Sequence, residues 1–290
     1  MVGYTVGNIL KEGAAKLKGS GSPSPYLDAQ VLLCHIASLS KVDIIVDRDK
    51  ILEEDTSENF FRLIEERKAG KPIQYITGHQ EFMGLDFYVN ENVLIPRPDT
   101  EILVEKVLEL LKNRDKPVIG DICTGTGAIA VSLAYYISDA FVYASDISDD
   151  ALECCKRNID RHGLGKRMKL LQGDLLGPLY EEGLEGKLDA LVSNPPYISK
   201  NDMETLPISV RGFEPHLALY GGEEGLDFYI RILKDAARFL KKGGLLAFEI
   251  GYDQGCAVRK LIEDSGRFKD IMIVKDLAGL DRVVYCNMEE

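Results

Sequence analysis

Val118-Ile119-Gly120-Asp121-Ile122-Cys123-Thr124-Gly125-Thr126-Gly127-Ala128 carries the fold in eleven residues. The run Pro117–Ile122 is apolar enough for a strand buried in a sheet, and Gly127–Ile137 continues as a helix. Between them, glycines let the backbone turn sharply and let a ligand approach without interference from a Cβ. The start of the helix adds free N–H groups and the positive end of its dipole. Asp146, about 20 residues beyond Gly125, ends the second strand, where a carboxylate can accept both hydroxyls of a ribose. Strand, glycine turn, helix and distal acid together predict a nucleoside site in an open α/β sheet.

The alternation continues on both sides of this segment. Before it, Thr100–Lys112 reads as a helix. After it come strand Phe141–Ser145, helix Ser148–His162, strand Met168–Gln172 and strand Leu188–Ser193. A long loop, Ile198–Gly225, precedes helix Leu226–Lys241, strand Gly244–Ile250 and helix Gln254–Glu263. Two last strands, Ile271–Val274 and Arg282–Asn287, predict an antiparallel edge. Helices alternating with strands in this way imply a doubly wound, mostly parallel, seven-stranded Rossmann-like sheet covered on both faces. This domain is expected over 99–290. Residues 76–98 mix Phe82, Leu85, Phe87 and Val89 with Gly78, Gly84, Asn90 and Asn92, which suggests a hairpin linker. Residues 1–75 read as a small bundle of about three amphipathic helices. The first is Val6–Lys18. The second, Tyr26–Leu39, turns Leu27, Val31, Cys34 and Ala37 to one side, and the third starts near Ser57 as N-cap and stops at Gly70.

Composition narrows the function classes. The 290-residue chain has a net charge of −12, which on average repels nucleic acid and anionic membranes. No apolar run approaches the length of a membrane span, and the N-terminus lacks a signal-peptide pattern. The six cysteines form no CxxC and do not cluster with the four histidines, so no metal site or disulfide framework is expected. A reducing cytoplasm is the simplest setting. No direct nucleic-acid partner is expected, and a monomer is the default.

The glycine loop leaves the cofactor open, since Gly125-Thr126-Gly127-Ala128-Ile129-Ala130 also fits a dinucleotide fingerprint. Two acids favour S-adenosyl-L-methionine. Asp121 precedes the loop, where it could help hold an ammonium, and Asp174 in Gln172-Gly173-Asp174-Leu175 could contact an adenine amino group or cap a helix. Asn194-Pro195-Pro196-Tyr197 decides the matter, directly after an apolar strand and at the edge where open sheets bind ligands. The prolines stiffen the chain. The Asn194 side-chain oxygen and the Pro195 carbonyl can then accept both hydrogens of an NH2 group, turning its lone pair toward a sulfonium methyl, while Tyr197 offers a flat face to a planar amide or base.

The glycine loop, Asp146, Asp174 and the Asn194–Tyr197 tetrapeptide resemble the methyltransferases that modify glutamine amides and exocyclic base amines. Three further segments resemble the HemK/PrmC family: Leu94-Ile95-Pro96-Arg97-Pro98-Asp99-Thr100-Glu101, Phe213-Glu214-Pro215-His216-Leu217-Ala218-Leu219-Tyr220-Gly221-Gly222 and Glu249-Ile250-Gly251-Tyr252-Asp253-Gln254. The likeness runs from about Lys71 to Val284; Asp99 stands where the family motif often has Glu. It implies N5 methylation of the Gly-Gly-Gln glutamine of class-I peptide chain release factors, with S-adenosyl-L-homocysteine as product. It assigns Cys123, Thr124, Gly125, Thr126, Gly127, Asp146 with Ile147, Asp174, Leu175 and Asn194 to the cofactor. Arg97 would border the cofactor pocket or merely pair with a surface carboxylate, and Asn194, Pro195, Pro196 and Tyr197 would clamp the glutamine. The loop Ile198–Gly225 could form a lid or docking surface, with His216 structural, and the N-terminal helices would dock the protein substrate. A ribosomal-protein glutamine methyltransferase, a DNA adenine N6-methyltransferase and, more distantly, a non-catalytic nucleoside-binding adapter are the rival readings.

Overall fold

A computed structural model describes residues 3–289 as two units. One runs to His79 and takes in Pro207–Phe213; the other comprises Gln80–Leu206 and the chain from Glu214 onward.

The first unit is helical: Val6–Leu17, Pro25–Ala37, Lys41–Val46, Glu54–Lys68 and Ile73–Thr77. Val6, Ile9, Leu10 and Leu17 meet Phe60, Leu63 and Ile64 in its core. Two expectations are corrected here. The second helix buries Ala29, Leu32 and Leu33 and leaves Leu27 exposed, because apolar residues surround it and the spacing does not single out a face. The fourth begins at Glu54, and Ser57 sits inside it with its hydroxyl donating to the Glu53 carbonyl at 3.2 Å. Glu54 and Asp55 in the first turn suit the positive end of the dipole. The partly buried pair Arg67–Asp28, at 2.7 Å, ties the fourth helix to the second.

The hairpin β1 (His79–Phe82) and β2 (Leu85–Tyr88) belongs, from Gln80 onward, to the second unit. It packs into that unit's core through Phe82, Leu85 and Phe87, and the Met83 N–H at its turn donates to Glu101 Oε1 at 2.6 Å. The sheet follows: β3 (Val118–Ile122), β4 (Phe141–Asp146), β5 (Met168–Gln172), β6 (Leu188–Ser193), β7 (Leu240–Glu249), β8 (Phe268–Lys275) and β9 (Asp281–Met288). Their order is β5-β4-β3-β6-β7-β9-β8, parallel from β5 to β7, with β9 antiparallel to both neighbours. Every residue of β6 is buried, with Ala190 and Val192 in one core and Leu188 and Leu191 in the other. Helix Asp227–Phe239 covers the second core with Tyr229, Ile232, Leu233, Ala236 and Phe239, spaced as one helical stripe. The chain leaves β3 toward β4 on one side and reaches β6 on the other, so a topological switch lies between β3 and β6. The segment expected as a loop after β6 carries short helices at Lys200–Thr205 and Ile208–Arg211 and a 3-10 turn at His216–Ala218; a further short helix, Gly177–Glu181, had no clear periodic signal.

Candidate active site

The loops leaving the carboxyl ends of β3, β4, β5 and β6 line one cavity of about 220 Å³. After β3, Cys123 has φ +61° and Gly125 φ +55°. The Gly125 N–H donates to Asp146 Oδ2 at 2.9 Å, and a Cβ on Gly125 would find no protein atom within 4 Å. Thr124 and Thr126 complete this wall. Gly127 lies behind it: its φ is +78°, and a Cβ there would stand 2.4 Å from Cys155 Sγ.

Asp121 is fully buried below the loop and does not line the cavity. Its Oδ2 accepts from the Thr124 hydroxyl at 2.6 Å, and Oδ1 has no hydrogen-bond partner. Burial pushes its pKa up to about 7, against the pull of the Thr124 hydrogen bond. It therefore braces the loop from beneath. Burial likewise raises the Cys123 thiol far above its ordinary range, so no thiolate faces the cavity.

After β4, Asp146 places its second oxygen, Oδ1, on the Ser148 N–H at 3.0 Å, with Ile147 half-exposed beside it. Burial raises its pKa although backbone N–H groups oppose the shift. After β5, Asp174 and Leu175 line the cavity, and Asp174 pairs with Arg231 from helix Asp227–Phe239. These walls fit a nucleoside. The open face of Gly125 leaves room for it, and the Asp146 carboxylate keeps lone pairs beyond its two backbone bonds.

After β6, Asn194 and Pro196 line the same cavity, while Pro195 is buried and Tyr197 turns its ring behind them. Asn194 Nδ2 donates to Thr100 Oγ1 at 3.3 Å, and the Tyr197 hydroxyl lies 3.2 Å from Glu249 Oε1. Glu249, at the end of β7, is 1% exposed; burial pushes it up to about 7, with the Thr100 hydroxyl, Arg282 and Tyr197 opposing. Burial also pushes the Tyr197 phenol well up, so it stays protonated.

Arg97 has a buried carboxylate as its partner, not a surface one. It lines the cavity and pairs at 2.5 Å with Glu214, whose side chain is only 1% exposed. Glu214 also accepts from the Ile95 N–H, so the segment running on to Pro215, Leu217 and Ala218 is pinned over the cavity wall. His216 is exposed and stacks at 5.3 Å on Tyr220. Thr100, Glu214 and Glu249 stand in the segments that carry the family resemblance but received no role from sequence, and Arg231 was not named there. Glu249 had a signal all the same, an acid closing an apolar strand beside the Asn194 strand. Among the described residues, no group of three or more His, Cys, Asp or Glu could hold a metal, and no helix is long and apolar enough to cross a membrane.

Comparison with known proteins agrees along the whole chain. Residues 8–78 match the family model described as PrmC N-terminal domain, and residues 98–209 match the methyltransferase small domain. A release factor glutamine methyltransferase of Moorella thermoacetica is 48% identical, covering 96% of each chain. Its counterpart from Clostridium botulinum is 43% identical over 96% of this chain and 97% of its own. Among solved structures, a methyltransferase from Pyrococcus furiosus aligns with a TM-score of 0.53 at 20% identity, over 72% of this chain and 91% of that one. The hMettl16 catalytic domain aligns at 0.57 and 18%, over 71% and 77%. At such identities the solved structures establish the fold alone.

Proposed function

Because the chain belongs to the release factor glutamine methyltransferase family, we propose that it methylates the side-chain N5 of the Gly-Gly-Gln glutamine in class-I peptide chain release factors. One observation supports this above the others: a nucleoside cradle and an Asn-Pro-Pro-Tyr turn open into the same cavity.

S-Adenosyl-L-methionine supplies an electrophilic methyl on a sulfonium centre and leaves as S-adenosyl-L-homocysteine. Asp146 would hold its ribose hydroxyls, Asp174 and Leu175 its adenine end, and the 123–127 loop the remainder, with Asp121 acting through Thr124. Asn194 Oδ1 and the Pro195 carbonyl would accept the two hydrogens of the glutamine amide. A primary amide nitrogen is a weak nucleophile, so alignment does most of the work, and well-oriented reactions gain up to about 7–11 kcal/mol in this way. The two acceptors strengthen their hold as positive charge develops on nitrogen. No general base is required of the cavity. Its two carboxylates are already engaged, Asp146 by backbone N–H groups and Asp174 by Arg231, and the proton leaves to water after transfer. The first unit would dock the release factor, and the setting would be the cytoplasm.

Incubation with labelled S-adenosyl-L-methionine and unmethylated release factor, followed by mass mapping, tests this. One methyl on the Gly-Gly-Gln glutamine is expected, and Asn194→Ala should reduce turnover far more than cofactor affinity. Labelling confined to a ribosomal protein would overturn the substrate assignment; full turnover by Asn194→Ala would overturn the clamp.

A further inference from the structure

The segment 249–254 carries part of the family resemblance, and its first residue, Glu249, meets the Tyr197 hydroxyl. Its last residue, Gln254, meets the Tyr197 backbone from the N-terminus of helix Gly255–Ser265. The Gln254 Nε2 donates to the Tyr197 carbonyl at 3.0 Å and to the Gly225 carbonyl at 3.1 Å, and Oε1 accepts from the Gly251 N–H at 3.0 Å. A carbonyl only accepts and a backbone N–H only donates, so this amide has a single orientation, and both of its hydrogens are used. Among the described residues, no other hydrogen bond reaches the Tyr197 carbonyl. The packing there is close as well. A Cβ on Gly221 would stand 2.6 Å from Tyr197 Cα, and one on Gly225 would stand 2.2 Å from the Tyr197 carbonyl oxygen.

The turn 194–197 starts where β6 ends, and there the Ser193 hydroxyl donates to the Ile122 carbonyl of β3 at 2.6 Å. Beyond it, two prolines have φ locked at about −65°, which leaves the turn few soft torsions. The direction of the Pro195 carbonyl therefore follows from where the two ends of the turn are held, and β6 holds the first. We propose that Gln254 holds the second and is a positioning residue for methyl transfer: its amide fixes the Tyr197 peptide, and the stiff turn passes that constraint to the Pro195 carbonyl. The inference rests on the proposed amide clamp, and it gives that clamp a fixed frame before substrate arrives. Gln254 itself does not line the cavity. The cofactor wall does not depend on it either, because helix Asp227–Phe239, which brings Phe228 and Arg231 to the cavity, is anchored by its own buried stripe.

The test uses the full chain with labelled S-adenosyl-L-methionine, unmethylated release factor and equilibrium binding of S-adenosyl-L-homocysteine, at a temperature where thermal unfolding shows each variant folded. Gln254→Met keeps the length of the side chain and removes all three hydrogen bonds. Its kcat should fall at least tenfold, with KM for the release factor and the Kd for S-adenosyl-L-homocysteine changed less than threefold. Gln254→Glu keeps an acceptor for the Gly251 N–H but replaces the NH2 that serves the two carbonyls, and it should lose turnover in the same way. Ile262→Val loosens the buried face of the same helix and should keep kcat within threefold of wild type. A kcat loss below tenfold in Gln254→Met, an equal loss in Ile262→Val, or a loss matched by an equal loss of cofactor-product affinity overturns the proposal. If Gln254→Met does not fold, Gln254→Glu decides by the same limits. Asn194→Ala is run in parallel. Full turnover there brings down the clamp itself, whereas lost turnover there with normal turnover in Gln254→Met overturns only the role of Gln254.

Discussion

Replacing Gly127 by alanine would place a Cβ 2.4 Å from Cys155 Sγ on a residue with φ +78°. The left-handed conformation costs an L-residue about 1–2 kcal/mol, and overpacking against a buried side chain typically adds about 1–3. The expected loss is about 2–5 kcal/mol, a large part of the ~5–15 that holds an ordinary protein folded. Gly125→Ala, two residues earlier at φ +55°, carries the same conformational strain but meets no protein atom within 4 Å. Its methyl stands on the cavity wall, so its further cost falls on the ligand. We expect at least a tenfold loss of S-adenosyl-L-homocysteine affinity, about 1.4 kcal/mol. The chain has no tryptophan, so urea unfolding is followed by circular dichroism and binding by calorimetry. Adding Cys155→Ala to Gly127→Ala removes the clashing sulfur, and the pair should be less destabilising than the sum of the singles. Strict additivity, equal stability of the two glycine variants, or normal binding by Gly125→Ala would refute this division of labour.

Three further outcomes are expected. Asp121 and Glu249 are both raised to about 7, so the stability of their neutral forms is complete below the ordinary carboxylate range and is lost as pH rises through about 7. Urea midpoints at pH 5 and pH 8 should therefore differ less in Asp121→Asn than in wild type, and an unchanged difference would contradict the shift. Arg97→Gln should destabilise more than Glu214→Gln, by up to ~3 kcal/mol, because it strands a carboxylate that is 1% exposed, whereas the reverse change leaves a cation 36% exposed; thermal unfolding ranks the two. In the first unit, Ile45 and Val46 are 73% and 74% exposed on helix Lys41–Val46. If that unit docks the release factor, Ile45→Glu with Val46→Glu should raise KM for the intact factor several-fold and leave S-adenosyl-L-homocysteine binding unchanged, as steady-state kinetics and calorimetry would show.

Much of the second unit was legible because a buried parallel sheet writes its strands as short apolar runs and separates them with turn residues. Met168–Gln172 and Leu188–Ser193 come out with the boundaries expected for them. The helical unit was less legible in detail. An all-round apolar helix such as Pro25–Ala37 has no spacing that names its buried face, and Ser57 looks like a cap until the acidic turn before it is counted. At the site, residues that line the cavity beside a glycine or a proline announce themselves by backbone chemistry, as Gly125 and Asn194 do. The side chains that aim them do not. Thr100, Glu214 and Glu249 act across separations of 94, 119 and 52 residues, and no local pattern encodes such pairings.

The placement of acids explains why a weakly nucleophilic amide could be handled without a base. Asp121, Glu214 and Glu249 are each buried, each raised by desolvation, and each turned away from the cavity toward a hydroxyl, a guanidinium or a backbone N–H. Buried carboxylates oppose folding unless such donors offset the loss of water. They serve poorly as proton acceptors for a substrate they do not touch. What they do is fix donors. Asp121 fixes the Thr124 hydroxyl below the 123–127 loop, and Glu214 fixes Arg97 and the Ile95 amide beside the wall. Glu249 fixes the Tyr197 phenol behind the cavity wall. Stability is thereby given up at three points around one cavity, and the return is a set of hydrogen-bonding groups whose directions are set before a substrate enters. For a reaction whose barrier is met mainly by alignment, that is the form of catalysis such a site can supply.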